Sequence, residues 1–193
     1  MAGKLSKPGS ARRAAARGTA AGALVLTWLQ SEHAGLRPIE PADVPFIRGW
    51  LKQPPVSLWP WPAGHKSEES DIDRYARLAV DRNSPALIIE NRAYRPRGLI
   101  VLRMDGIRAT LGIAAAGAHF WREICAAESI DLTVSAAFRI WPLQRIELLI
   151  FAGCQAALAC ARKAGFRHEG VLRCCRRTET SFEDCVVLSI VRA

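Results

Sequence analysis

Apolar residues recur along the chain at two spacings, and these divide it into elements. Leu36-Arg37-Pro38-Ile39 reads as a short first strand. Pro41-Ala42-Asp43 then opens a helix whose apolar positions Val44, Ile47, Trp50 and Leu51 fall at helical spacing, and Pro54-Pro55 stops it. The following stretch, Leu58 to Gly64, is a loop, because its prolines remove backbone donors. Ser70-Asp71-Ile72-Asp73 is a variant capping box for a second helix carrying Ile72, Tyr75, Ala76 and Ala79 on one face. Ala86 to Glu90 is apolar and β-branched, hence a strand. Two apolar runs, Gly98–Arg103 and Ile107–Ile113, flank Asp105-Gly106 and predict a hairpin, since both turn residues tolerate positive φ. A helix from about Arg122 to Phe138 follows, with Ile124, Ala127, Val134 and Phe138 on related faces. Arg145 to Phe151 is a buried strand, Gln155 to Lys163 a helix ended by Gly165, and two strands close the chain near Phe166–Cys174 and Cys185–Val191. The order β-α-α-β-β-β-α-β-α-β-β predicts an α/β fold with a central mixed, mostly antiparallel sheet and helices on both faces.

Composition narrows the class. Of 193 residues 50% are hydrophobic, which excludes wholesale disorder, and no apolar run reaches the ~18–20 residues of a membrane span. The formal net charge is +9, and five of those charges (Lys4, Lys7, Arg12, Arg13, Arg17) stand in the first thirty residues with no acid among them. That arm attracts anions without choosing among them, so non-specific anion binding is its expected property. Its apolar stretch, Ala20 to Leu29, loosely resembles a secretory signal but contains Gly22 and Thr27 and lacks a clean cleavage site, so a flexible arm ending in a short helix is expected. The chain therefore divides into an extension over 1–35 and one domain over 36–193. Six cysteines form no C-x-x-C pair, which argues against a zinc site; no metal is expected, and small packed thiols in a reducing cytoplasm are. In a strand, Cys174 and Cys175 point to opposite faces.

Residues 145–173, RIELLIFAGCQAALACARKAGFRHEGVLR, resemble the GNAT acetyltransferase superfamily, nearest to the branch that acetylates ribosomal-protein N-termini and spermidine. Arg145, Ile146, Glu147, Leu148, Ala157, Lys163, Gly165, Phe166, Glu169 and Gly170 carry the match. The opening LRPIEPADVPFIRGWL also looks like aminoglycoside-type members, and the element order agrees with the same fold. The resemblance implies acetyl-CoA as co-substrate, lying where two parallel strands splay, with its pyrophosphate on amides at a helix N-terminus. A base then takes a proton from the acceptor amine and an acid protonates the leaving thiolate.

The chain departs from that pattern at several points. The loop that in this branch reads roughly Trp-Gly-Lys-Gly-Tyr-Ala-Thr-Glu is here Trp121 to Glu128. Arg122 and Ile124 replace glycines, and Glu123 replaces a basic residue. Two readings stay open: a modified site in which the amides of Ile124, Cys125, Ala126 and Ala127 cradle phosphate with charge from Arg122, or an ordinary helix start. Cys154 stands at the family's usual Asn and Ala161 at its frequent Tyr, so the usual acid is missing; Cys154 or Cys160 is either its substitute or a packed apolar thiol. The base candidates are His119 and Glu147. Trp59 and Trp61, with Glu68, Glu69, Asp71 and Asp73, either hold a cationic amine or form a lid over the core. Two functions result. The first is acetyl-CoA-dependent N-acetyl transfer to a primary amine of a small molecule or a protein N-terminus. The second is a catalytically eroded relative acting as a non-enzymatic binding module.

Overall fold

Strand-forming runs that are apolar at every position, such as Ala86–Ile89 and Gly98–Leu102, belong in the middle of a sheet covered on both sides. The computed structural model, which describes residues 28–51, 53, 84–178 and 180–192, places them there. Its elements are β1 (Leu29–Gln30), β2 (Ala34–Pro38), a 3-10 turn (Pro41–Asp43), α1 (Val44–Leu51), β3 (Ala86–Asn91), β4 (Pro96–Asp105), β5 (Arg108–Ala115), a second 3-10 turn (Ala118–Arg122), α2 (Ile124–Ile140), β6 (Arg145–Phe151), α3 (Gln155–Lys163), β7 (Arg167–Arg177) and β8 (Phe182–Val191). The eight strands lie in the order β1-β2-β3-β4-β5-β6-β8-β7. Every neighbouring pair is antiparallel except β5 with β6.

Alternation along the central strands separates two cores. Leu87, Ile89, Ile100, Leu102, Leu111 and Ile113 face α2 and α3, whose Ala126, Ile130, Val134, Leu158 and Ala161 complete the larger core. Ile88, Leu99 and Val101 point the other way, onto Val44, Ile47 and Trp50 of α1. Each such aliphatic side chain, fully buried, contributes about 1.5–3 kcal/mol. Helices therefore cover both faces, as expected.

A buried ionic group fastens α1 to the sheet edge. Arg37 of β2 donates to both oxygens of Asp43 at 2.6 and 2.7 Å and, through Nε, to Glu90 of β3 at 2.7 Å. All three are at most 7% exposed. The Asp43 bonds outweigh the burial that opposes the charge and raise the guanidinium's pKa further, so Arg37 stays protonated. Asp43 also accepts from the Glu40 amide at 2.8 Å, which fixes the turn into α1.

Several expectations need correction. The hairpin turns one residue later than Asp105-Gly106: Asp105 pairs with Arg108, and Gly106, at φ 61, takes the first central position with Ile107 second. A glycine first is the type II′ preference. The helix expected from Arg122 begins at Ile124, because the preceding residues form a separate 3-10 turn. Ile124 does not share the buried face of Ala127 and Val134; it is 52% exposed. Leu29, expected at the end of a short helix, is in a strand that pairs with Leu36. Cys174 and Cys175 do not alternate across a regular strand, because the register shifts between Leu172 and Arg176 and Cys174 takes φ 51. The second predicted helix and most of the basic arm lie outside the described residues.

Arg37→Ala leaves two buried carboxylates without their cation. It is expected to cost about 3–5 kcal/mol, measured as a lowered urea midpoint with an unchanged m-value.

Candidate active site

Among the described residues, the only parallel pairing in the sheet is short. β5 and β6 are in register at Arg108 with Arg145, Ala109 with Ile146 and Thr110 with Glu147, and the ladder then ends. Beyond Thr110, β5 continues against β4 as far as Ala115, while β6 continues against β8 as far as Phe151. The strands part toward their C-terminal ends, and each leads into a helix there: β5 into α2 through the second 3-10 turn, β6 into α3 through Ala152-Gly153-Cys154. Two helix N-termini thus begin at the open end of the splay, where dipoles and unpaired amides favour an anion.

Glu123 is the N-cap of α2, extended at φ −77 and ψ 147, and its side chain makes no capping bond. Among the described residues, the amide of Ile124 meets no acceptor, the Cys125 amide faces its own sulfur, and Ala126 donates to the Glu123 carbonyl at 3.2 Å. The Glu123 carboxylate turns instead to Arg97 of β4, which donates through Nε to Oε2 at 3.1 Å and through a terminal N–H to Oε1. Cys125 Sγ lies 3.4 Å from the same Oε2 as a donor. Burial first, and then this bond to a carboxylate, push the Cys125 thiol up to about 12, so it stays neutral. The bond to Glu123 likewise raises Arg97. The negative charge that the sequence sets beside the helix start is therefore neutralised in place. Ile124 points to solvent and does not fill the splay. Arg122 is exposed with no ion pair among the described residues. Cys125, Ala126 and Ala127 bury their side chains, so they offer an anion main-chain amides only. One turn further, Glu128 accepts from the Ser31 hydroxyl at 2.5 Å, the His33 amide at 2.9 Å and His33 Nδ1 at 2.8 Å, tying the β1–β2 turn to α2.

The three residues expected to do proton chemistry are not brought together as one group. His119 lies in the 3-10 turn between β5 and α2, exposed. Cys154 is the N-cap of α3, at the open end of the splay. Its thiol is raised by burial and by the charge of Glu183, with Arg176 opposing. Glu147 sits at the closed end, its carboxylate accepting from Thr110 Oγ1 and Arg145, both at 3.3 Å. Cys160 is buried, its thiol pushed up to about 11 by burial, and Ala161 is fully buried. Trp59 and Trp61 lie outside the described residues.

Three contributors escaped the sequence reading. Arg97 stands near the start of β4 and belongs to no motif. Arg176 and Glu183 are opposite charges at paired positions of the final hairpin, which was a readable signal. They form an ion pair, and the Arg176 guanidinium stacks 3.8 Å over the Phe151 ring, beside Cys154.

The family model for the acetyltransferase (GNAT) domain matches residues 33–167. The chain belongs to the GNAT acetyltransferase family. As a GNAT protein it is a transferase of the acyl-transferring class, and its mixed, mostly antiparallel sheet with helices agrees with the family's fold as expected. Its fold is similar to spermidine N-acetyltransferase from Vibrio cholerae in a dodecameric intermediate state, at TM-score 0.67 and 20% identity, covering 82% of this chain and 93% of that one. It is also similar to a chimera of the Vibrio cholerae enzyme SpeG with hSSAT, at TM-score 0.68 and 20% identity over 83% and 96%. A candidate acetyltransferase from Sphaerobacter thermophilus aligns at TM-score 0.59 and 20% identity over 86% and 98%. At such identity the likeness is one of fold. No curated protein sequence matches the chain. Among the described residues no helix is long and apolar enough to cross a membrane, and no group of three or more metal-binding side chains occurs.

The GNAT motif residues Arg145 and Glu169 form a paired-oxygen contact at 2.5 Å, and Ser189 donates to the same carboxylate. These bonds lower Glu169 to about 2 from the ordinary 4.5. A depressed carboxylate stabilises the fold above its unfolded value and loses that contribution as pH falls through its folded value. Stability is therefore expected to decline between pH 4.5 and about 2, and Glu169→Gln to remove part of that acid limb in pH-dependent urea denaturation.

Proposed function

We propose that this chain transfers an acetyl group from acetyl-CoA to a primary amine of a small molecule or a protein N-terminus, directly and without a covalent enzyme intermediate. The observation that carries the proposal is the abrupt end of the β5–β6 ladder beside the start of α2, where the Ile124 amide is open. Acetyl-CoA supplies the acetyl group as a thioester. The amides from Ile124 to Ala127 would hold its pyrophosphate, with Arg122 adding charge, and the outward Ile124 side chain supports that fit. His119 is favoured over Glu147 as the base, because Thr110 and Arg145 already occupy the Glu147 carboxylate at the closed end of the ladder. Cys154 is favoured as the acid: its raised pKa keeps the proton on sulfur, ready for the departing thiolate. Trp59 and Trp61 are assigned to the acceptor side on family resemblance. The spermidine enzymes among its structural neighbours make polyamines the first acceptors to try. Free cysteines suit a reducing cytoplasm, and the basic arm suits non-specific anion binding.

A second reading, an eroded binding module, is favoured by one observation: Ala161, fully buried, offers no proton where the family often has Tyr. Calorimetry separates the readings. Acetyl-CoA is expected to bind with a Kd below about 1 mM, −4.1 kcal/mol on the affinity scale, and no heat at millimolar cofactor sinks the enzyme. With labelled acetyl-CoA and spermidine or a peptide N-terminus as acceptor, Cys154→Ala is expected to lower kcat about 100-fold with KM little changed. Unchanged kcat removes Cys154 from the mechanism.

A further inference from the structure

We infer that Arg97 is a positioning residue for the anion site at the start of α2, an inference that rests on the acetyltransferase reading above. Its task is to hold Glu123 away from the helix amides. A carboxylate at an N-cap position is the natural competitor for those amides, since the dipole and the unpaired N–H groups favour its charge as they favour a phosphate. Glu123 has the position for that contact and does not make it. Both of its oxygens are engaged elsewhere: Oε2 by Arg97 Nε at 3.1 Å and by the Cys125 thiol at 3.4 Å, Oε1 by a terminal N–H of Arg97. Self-capping is thus suppressed by a cation from a different element, and the charge that would repel a phosphate is cancelled at the same time.

Arg97 is well anchored for this role. Its carbonyl accepts from the Ala116 amide at 2.9 Å, at the point where β5 ends. The adjacent Gly98 lies so close to β5 that a Cβ there would meet the Ala114 carbonyl oxygen at 2.8 Å. The backbone of Arg97 therefore binds the end of β5 while its guanidinium binds the start of α2, one contact on each side of the 3-10 turn between them. That turn also contains a donor in need of an acceptor: Trp121 is 5% exposed, and its indole N–H has no partner among the described residues. The open Ile124 amide and this indole are independent signs that the turn and the start of α2 have room for a further acceptor.

The test uses the full chain and two probes, acetyl-CoA and S-acetyl-pantetheine, which presents the same thioester without the pyrophosphate. Arg97→Met frees Glu123 to cap its own helix, and acetyl-CoA binding by calorimetry is expected to weaken about 10- to 30-fold, the scale of a charge at a helix terminus. Turnover of S-acetyl-pantetheine is expected to stay within about twofold, because the thioester end is untouched. Arg97→Met with Glu123→Ala is expected to restore acetyl-CoA binding to within about threefold of the parent, since the competing carboxylate is gone. Equal acetyl-CoA binding by the parent and Arg97→Met overturns the inference, and so does a double variant as weak as Arg97→Met, which would make Arg97 itself the phosphate ligand. Where Arg97→Met fails to fold, Glu123→Ala alone decides: acetyl-CoA binding as tight as the parent's supports the inference, and loss of binding overturns it. A parent chain that binds no acetyl-CoA overturns the acetyltransferase reading and this inference together, an outcome distinct from all the others.

Discussion

Three residue pairs, Arg108 to Thr110 against Arg145 to Glu147, join the five strands on one side of the sheet to the three on the other. Everything the candidate site needs follows from the shortness of that join. Were the ladder to continue, β5 and β6 would close on each other and both helix N-termini would face a sealed sheet. The join holds because its closed end is cross-linked by side chains. Thr110 on β5 donates to Glu147 on β6; Arg145 reaches Glu147 and then Glu169 on β7; Ser189 on β8 donates to Glu169. Below it, the Gln144 amide donates to the Ile107 carbonyl at 2.7 Å. Four strands are thus fastened at one end and left to diverge at the other.

That geometry gives the family motif a physical meaning. Arg145, Glu147 and Glu169 are among the residues by which the chain resembles acetyltransferases, and here they form the fastening rather than a reacting group. A motif that lies in a fastening reports the fold well and says little about the acceptor. Loop residues at the open end are free to change without unfastening the sheet, and four of the positions read as departures from the family pattern, Arg122, Glu123, Ile124 and Cys154, stand there.

Local periodicity made much of the fold legible. β6 and α3 fall at the bounds that the apolar pattern predicts, because a fully buried strand and a one-sided helix each present a strong signal over their whole length. Errors occurred where a short backbone feature overrode the pattern. The turn between β4 and β5 followed the glycine that needs positive φ rather than the Asp-Gly pair as a unit. A register shift at Cys174 broke the alternation assumed for two adjacent cysteines. Ile124, set on a face related to that of Ala127 and Val134, stands instead exposed at the first position of a helix that starts after the 3-10 turn. The ionic contacts between distant elements were not legible, since Arg97 and Glu123, or Arg145 and Glu169, are more than twenty positions apart and no spacing rule links them.

Loss of the loop glycines is less damaging than the sequence alone suggests, and the reason is directional. A side chain blocks a phosphate only where it projects over the amides. At the first helical position Ile124 projects into solvent. The real burden of the altered loop falls on Glu123, whose carboxylate has the charge and the position to occupy the amides itself. Arg97 holds that carboxylate from outside the loop, so the proposed anion site does not rest on loop residues alone. The same contrast sorts the thiols. Cys125 hydrogen-bonds a carboxylate and buries its side chain, and Cys160 is sealed in the core, so neither sulfur reaches the splay as a proton donor. Cys154 alone among the three is half-buried and caps the helix that starts at the splay's open end. A thiol there keeps its proton at neutral pH while remaining within the open part of the fold, and that combination is what a general acid for a thiolate leaving group requires.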